Sequence, residues 1–163
     1  MEPKIVTLRE RKLVGMCITT TISFDDTKKM WSEFVSRQDE IENKTARDYY
    51  SIQVYPEGLK LKDFKEDTEF ERWAAVEVNS LDDIPSGMKP KTLAGGLYAT
   101  FTHKGPVKTF VKTSNYIYGT WLPQSGYELD QRAHFEKLGK KYYGPDHPDS
   151  EEEIFVPIRK IDS

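Results

Sequence analysis

Leu93-Ala94-Gly95-Gly96-Leu97-Tyr98-Ala99-Thr100-Phe101-Thr102-His103 is followed by Lys104-Gly105-Pro106 and then by Val107 to Trp121. The first run is rich in aromatic and aliphatic residues and reads as a strand. Gly105-Pro106 punctuates it, and Pro106 suits the first turn of a helix. Val107, Phe110, Val111, Ser114, Ile117, Tyr118 and Trp121 then fall at i, i+3, i+4, i+7, i+10, i+11 and i+14, the spacing of a long amphipathic helix. Pro123 and Gly126 end it. Tyr127 to Leu138 alternates as a strand, Lys140 to Ser150 is a Gly/Pro/Asp loop, and Ile154 to Ile161 is a final strand with Ile154, Val156 and Ile158 on one face.

Upstream, the same order of elements occurs once more. Ile5 to Ile22 reads as a strand, and Ser23 to Asp26 supplies helix-capping oxygens. Met30, Trp31, Phe34, Val35 and Gln38 mark the apolar side of a helix of about three turns. Tyr49 to Tyr55 alternates, Pro56-Glu57-Gly58 is a turn, and Phe70 to Val78 alternates again with Val76 and Val78 on one face. Ser80 to Pro90 is a connector. Each half reads strand, helix, strand, strand, with Arg72–Val76 falling against Ile154–Ile158. Side-chain identity between the halves is poor, so element order is what repeats. The expectation is a single α+β domain over residues 1–163, built of two pseudo-symmetric units at about 5–79 and 91–161. Their strands form one antiparallel sheet with helices on one face.

Composition bounds the function. The 163 residues suffice for one core, and charged residues (31%) and hydrophobic ones (37%) are in ordinary globular proportion. Lys plus Arg number 24 against 27 acids, a net charge of −3, which gives no general attraction for a phosphate backbone. No apolar run approaches the roughly 20 residues of a membrane helix. Cys17 is the one cysteine, no signal-like apolar stretch follows Met1, and a cytoplasmic setting is expected. His103, His134 and His147 lack metal-ligand spacing, so neither a metal nor another cofactor is expected. Glu151-Glu152-Glu153 reads as a solvated acidic run. Three Trp, nine Tyr and eight Phe make 12% aromatics, which fill cores and also line pockets for flat or cationic molecules.

Gly96 to Pro106, Tyr116-Ile117-Tyr118-Gly119-Thr120-Trp121-Leu122-Pro123-Gln124-Ser125-Gly126-Tyr127, His134-Phe135-Glu136 and Glu153 to Ile158 together resemble the GyrI-like effector-binding domain of AraC- and MerR-type regulators. The resemblance covers nearly the whole chain. It implies two pseudo-symmetric units with a ligand cleft between them, and a chain that starts directly at the first strand, without the helix-turn-helix found in many members. Stand-alone members include drug-binding proteins, gyrase-inhibitor-like proteins and hydrolases of strained small molecules.

The resemblance also puts the family's ligand-contacting carboxylate at Glu136, although alternation alone favours a solvated polar face. With helices on one sheet face and the cleft on the other, Phe135 is expected to pack on a helix and Glu136 to face the cleft. By the same rule Trp73, Phe155 and Tyr55 point to the cleft, with Tyr98 a further candidate, each ring being as readily core as pocket. Trp121 and Tyr118 lie at core spacing on the second helix and border the cleft if they sit near its ends. Three functions follow. One is a module binding hydrophobic, cationic small molecules, without specific DNA contact of its own. Another is a hydrolase using Glu136 with Tyr55 or Tyr98. The last is a protein-protein inhibitor of a DNA-processing enzyme.

Overall fold

The computed structural model describes residues 2–161. Nine strands form one mixed-length antiparallel sheet, and the helices pack on it: β1 Lys4–Leu8, β2 Arg11–Thr20, α1 Thr27–Arg37, β3 Lys44–Val54, β4 Phe70–Val78, β5 Lys89–Leu93, β6 Gly96–Lys104, α2 Phe110–Tyr116, α3 Leu122–Gln124, β7 Tyr127–Leu129, β8 His134–Leu138 and β9 Glu151–Lys160. The order across the sheet is β1-β6-β9-β8-β3-β4-β2-β5, with β7 pairing β9. Read from either end, that order exchanges β1 with β5, β6 with β2, β9 with β4 and β8 with β3. The centre of this exchange is the β8–β3 pair, where Ile52 stands opposite Phe135.

Three runs expected as single strands are each broken in two. Ile5–Ile22 becomes β1 and β2, Leu93–His103 becomes the end of β5 and β6, and Tyr127–Leu138 becomes β7 and β8. The breaks follow from pairing. β1 joins β6 while β2 joins β5, so each half lends an edge strand to the other. The chain must turn at both crossings, and these meet: a Cβ on Gly95 would lie 2.9 Å from the Leu8 carbonyl oxygen. Only glycine admits that approach.

Residues directly opposite on antiparallel strands share a face, which sorts the side chains. One face carries Leu13, Tyr50, Ile52, Trp73, Tyr98, Phe135 and Phe155, all nearly inaccessible and packed as one cluster. Phe135 stacks on Phe155 with centroids 4.6 Å apart, and Tyr98 meets both rings edge-on. The other face is covered in two separate patches. α1 lays Met30 and Phe34 on Val14, Met16, Val76 and Val78. The second helical segment lays Ile117 on Ala99, Phe101, Ile154 and Val156. A hydrogen bond of 2.7 Å between His103 Nδ1 and Thr113 Oγ1 pins that segment to β6.

The second helix is continuous from Val107 to Gln124 but not uniform. A tight turn at Val107–Thr109 leads into α2, and Ile117–Trp121 forms one wide turn closed by Leu122 N–H donating to the Ile117 carbonyl. That i to i+5 bond adds a residue to the turn. Ile117 thereby faces the sheet, Trp121 meets Phe101 edge-on at 5.3 Å, and Tyr118 is free to lean toward β8. Val107 and Val111, expected on the buried stripe, are more than half exposed because the tight first turn rotates them outward. Among the described residues no helix is long and apolar enough to cross a membrane.

Candidate functional site

Each helix reaches only one end of the two central strands: α1 packs Trp31 and Phe34 on Tyr49 of β3, and Tyr118 meets His134 on β8. Beyond Tyr49 the helix-side positions are polar: Ser51 and Gln53 on β3, His134 and Glu136 on β8. This inverts the pattern of β4 and β9, whose helix-side residues are Ala74, Val76, Ile154 and Val156. Buried polar groups on such a strip must satisfy one another. Gln53 Nε2 donates to Glu136 Oε1 at 3.1 Å. His134 Nδ1 lies 3.0 Å from the Tyr118 hydroxyl. The Tyr55 ring stands edge-on to His134 at 5.0 Å and stacks on Phe70 at 5.4 Å, with Phe64 closing its other side.

Glu136, Tyr55 and Tyr118 keep some accessible surface although protein surrounds them on nearly all sides. Burial, and after it the Glu152 carboxylate, push the Glu136 carboxyl up to about 8 against the opposing pull of Arg72 and the Gln53 hydrogen bond. Burial likewise raises Glu152, to about 7, against the pull of Arg72. His134 is driven the other way, down to about 4, by burial and then by Arg132, so the imidazole is neutral. Tyr55 and Tyr118 are held protonated by burial, with the Glu136 charge adding to it in both. Among the described residues, no Lys, Arg or His nitrogen lies within 4 Å of the Glu136 carboxylate.

Glu136 therefore lies on the helix side of the sheet, not on the opposite face as expected. Of the sequence candidates, Glu136, Tyr55 and Tyr118 come together. Trp73, Tyr98 and Phe155 do not: they sit across the sheet from Glu136, 5%, 1% and 6% exposed, inside the aromatic core. Trp121 packs against Phe101 and stacks on Tyr127, away from the polar strip. The expectation failed at one step. Phe135 was assigned to a helix, whereas it packs on Phe155 within the sheet's other face.

Gln53, Arg72, His134 and Glu152 were passed over as site members. Gln53 and Arg72 lie in recognised alternating strands, and a polar residue at every second place of a central strand was the signal for them. Glu152 was assigned to a solvated run, but it lies within β9 opposite His103. A separate hollow of about 260 Å³ opens on the far side of Tyr55, lined also by Lys91, Thr92, Gln131 and Arg132. Arg132 is already occupied there: it sits over the Tyr98 ring at 4.5 Å, pairs with Asp130 at 2.7 Å and donates to the Leu97 and Ile158 carbonyls.

Comparison with known proteins agrees with the fold. The transcriptional regulator BrlR of Pseudomonas aeruginosa is 28% identical over 160 residues, a match taking in 97% of this chain and 56% of BrlR. The chain thus spans little more than half the length of that relative. The crystal structure of the EcmrR C-terminal domain matches with a TM-score of 0.74 at 16% identity, covering 98% of both chains. The structure of SAV2435 bound to tetraphenylphosphonium matches with a TM-score of 0.72 at 17% identity, covering 98% of this chain and 94% of that one. The family model described as the GyrI-like small molecule binding domain matches residues 1–159. With that match running over nearly the whole chain, the chain belongs to the GyrI-like small-molecule-binding family.

Proposed function

We propose that this domain binds hydrophobic cations in the cleft between α1 and the second helix, with Glu136 as the charge partner and Tyr55 and Tyr118 as aromatic walls. The observation that carries the reading is the Glu136 carboxylate itself, buried among rings at the sheet centre with no cation of the protein within 4 Å. A buried acid without a counter-charge is costly, and a ligand cation removes that cost. Ring faces add attraction for the same charge. The tetraphenylphosphonium held by the fold neighbour SAV2435 is of this class. Bulk charge of −3 favours cations and disfavours DNA, so the domain is assigned no specific DNA contact of its own, and a cytoplasmic setting.

Calorimetric titration with tetraphenylphosphonium tests this. Glu136→Gln keeps the shape and the Gln53 contact but removes the charge, and is expected to cost about 2–5 kcal/mol of affinity. Triphenylphosphine oxide, aryl-rich but neutral, is expected to bind both forms equally. Equal tetraphenylphosphonium affinity in the two forms would sink the assignment. A second reading, hydrolysis of a reactive small molecule, draws on the same carboxyl: protonated near neutral pH beside Tyr55, it has the properties of a general acid. Product release from a test compound would favour that reading.

A further inference from the structure

Arg72 stands beside the cleft carboxylate without pairing with it. It lies opposite Gln53 on β4, hence on the cleft face, and Gln53 holds Glu136. Its Nη1 is instead 3.6 Å from Asp25 Oδ2. Asp25 sits in the loop between β2 and α1, and that loop is fixed. Its other oxygen accepts from the Thr27 N–H at 3.0 Å and the Thr27 hydroxyl at 2.6 Å. Ser23 N–H donates to the Glu66 carbonyl at 3.0 Å, tying the loop to the β3–β4 connection. An anchored carboxylate on the rim and a buried one on the floor thus flank a single long guanidinium between them. The drier acceptor forms the stronger pair with an arginine once contact is made. Arginine is also the cation best suited to fork onto a carboxylate.

We propose that Asp25 is a positioning residue: it draws Arg72 outward to the rim and keeps Glu136 open to a cationic ligand, with Arg72 the internal competitor for the same carboxylate. The inference rests on the cleft reading above and deepens it. It makes a residue outside the cleft a determinant of cation affinity. It also implies that a bound cation pushes Arg72 toward Asp25 and so tightens the loop onto β4.

The test is a titration of tetraphenylphosphonium into the wild type, Asp25→Asn, Arg72→Gln, the double variant and Glu136→Gln. Asparagine keeps the capping acceptor for Thr27 while losing the charge, and Asp25→Ser does the same by a different side chain should the first fail to fold. Asp25→Asn is expected to weaken binding by about threefold, the scale of an exposed ion pair. Arg72→Gln is expected to tighten it by about tenfold in titrations well above pH 8, where Glu136 is ionised without help from Arg72, through removal of a nearby like charge. The double variant should match Arg72→Gln alone, since Asp25 acts only through Arg72. A general structural defect at Asp25 would instead weaken both backgrounds by the same factor, and that result overturns the inference. So does an Asp25→Asn affinity equal to wild type. If the wild type binds no tetraphenylphosphonium, or Glu136→Gln binds it as well, the cleft reading itself falls and this inference with it. Loss in Glu136→Gln with no effect of Asp25→Asn removes only the role of Asp25.

Discussion

Glu136 and His134 are two residues apart on one strand face, and burial shifts them in opposite directions, each toward its neutral form. The linkage signs differ accordingly. The raised carboxyl penalises folding once the unfolded form ionises, so stability falls as pH climbs from 4.5 to about 8. Glu152 adds to that fall from 4.5 to about 7. His134, ordinarily 6.5 and here about 4, makes stability fall as pH drops through that interval. Between pH 7 and 8 Glu136 titrates in the folded state together with the upper end of Glu152. Urea melts toward pH 8, where Glu152 is nearly spent, are expected to lose stability with a slope of up to about 1.4 kcal/mol per pH unit, much reduced in Glu136→Gln. Ligand binding carries the same proton. Arg72 opposes and Glu152 favours the protonated form, while Tyr55, Tyr118 and His134 stay neutral around it. Affinity for tetraphenylphosphonium is therefore expected to rise by up to about tenfold per pH unit toward pH 8 and level off above it. A pH-independent affinity between 6 and 9 would show that the cation does not meet this carboxylate.

At the scale of the element, one helical segment carries both core and polar-strip contacts through the wide turn at Ile117–Trp121. In a regular helix Ile117, Tyr118 and Trp121 already fall within an arc of about 100°, and the wide turn changes how that arc is set against the sheet. Here Ile117 is buried on the β6–β9 patch, Trp121 meets Phe101 and Tyr118 reaches His134. The i, i+3, i+4 pattern showed a helix correctly, and no pattern at that period reveals an inserted residue. Gly119 lies on the outer side, with no atom within 4 Å of a built Cβ. Gly119→Ala is expected to stabilise the domain by about 0.5–1 kcal/mol in urea unfolding, by restricting the unfolded chain at a site without contacts. A loss of stability would mean that the segment is not helical at Gly119. The strands tell a related story. Alternation gave the inside-outside phase of β4 and β9 correctly, Val76 and Val156 facing helices and Trp73 and Phe155 facing away. On β3 and β8 the same rule sent Ile52 and Phe135 to the helices, because it assumed that apolar residues always face them. The aromatic core on the other face is equally apolar, and periodicity cannot tell two apolar coverings apart.

Across the whole molecule, the exchange of strands about the Ile52–Phe135 pair gives each cleft residue a counterpart: Gln53 for Glu136, Ser51 for His134, Arg72 for Ile154. We propose that residues 5–79 and 91–161 are two copies of one unit in a single domain, as the repeat of element order suggested. The charges do not repeat, and the reason is on the neighbouring strands. Gln53 lies opposite Arg72 on β4, whereas Glu136 lies opposite Ile154 on β9. A carboxylate at the Gln53 position would be met at once by an arginine, and a neutralised acid has nothing to offer a ligand cation. Glu136 faces an isoleucine, so when it ionises its charge is left for the ligand. Moving the acid across the molecule tests this. Gln53→Glu with Glu136→Gln is expected to bind tetraphenylphosphonium about as poorly as Glu136→Gln alone, a loss of about 2–5 kcal/mol. Adding Arg72→Ile, which gives the first half the apolar neighbour of the second, is expected to recover most of that loss in the same titration. Recovery requires that the two halves present equivalent floors to one shared cleft. If the triple variant folds, as judged by its urea melt, and still fails to bind, the halves are alike in strand order only and the cleft has one functional side.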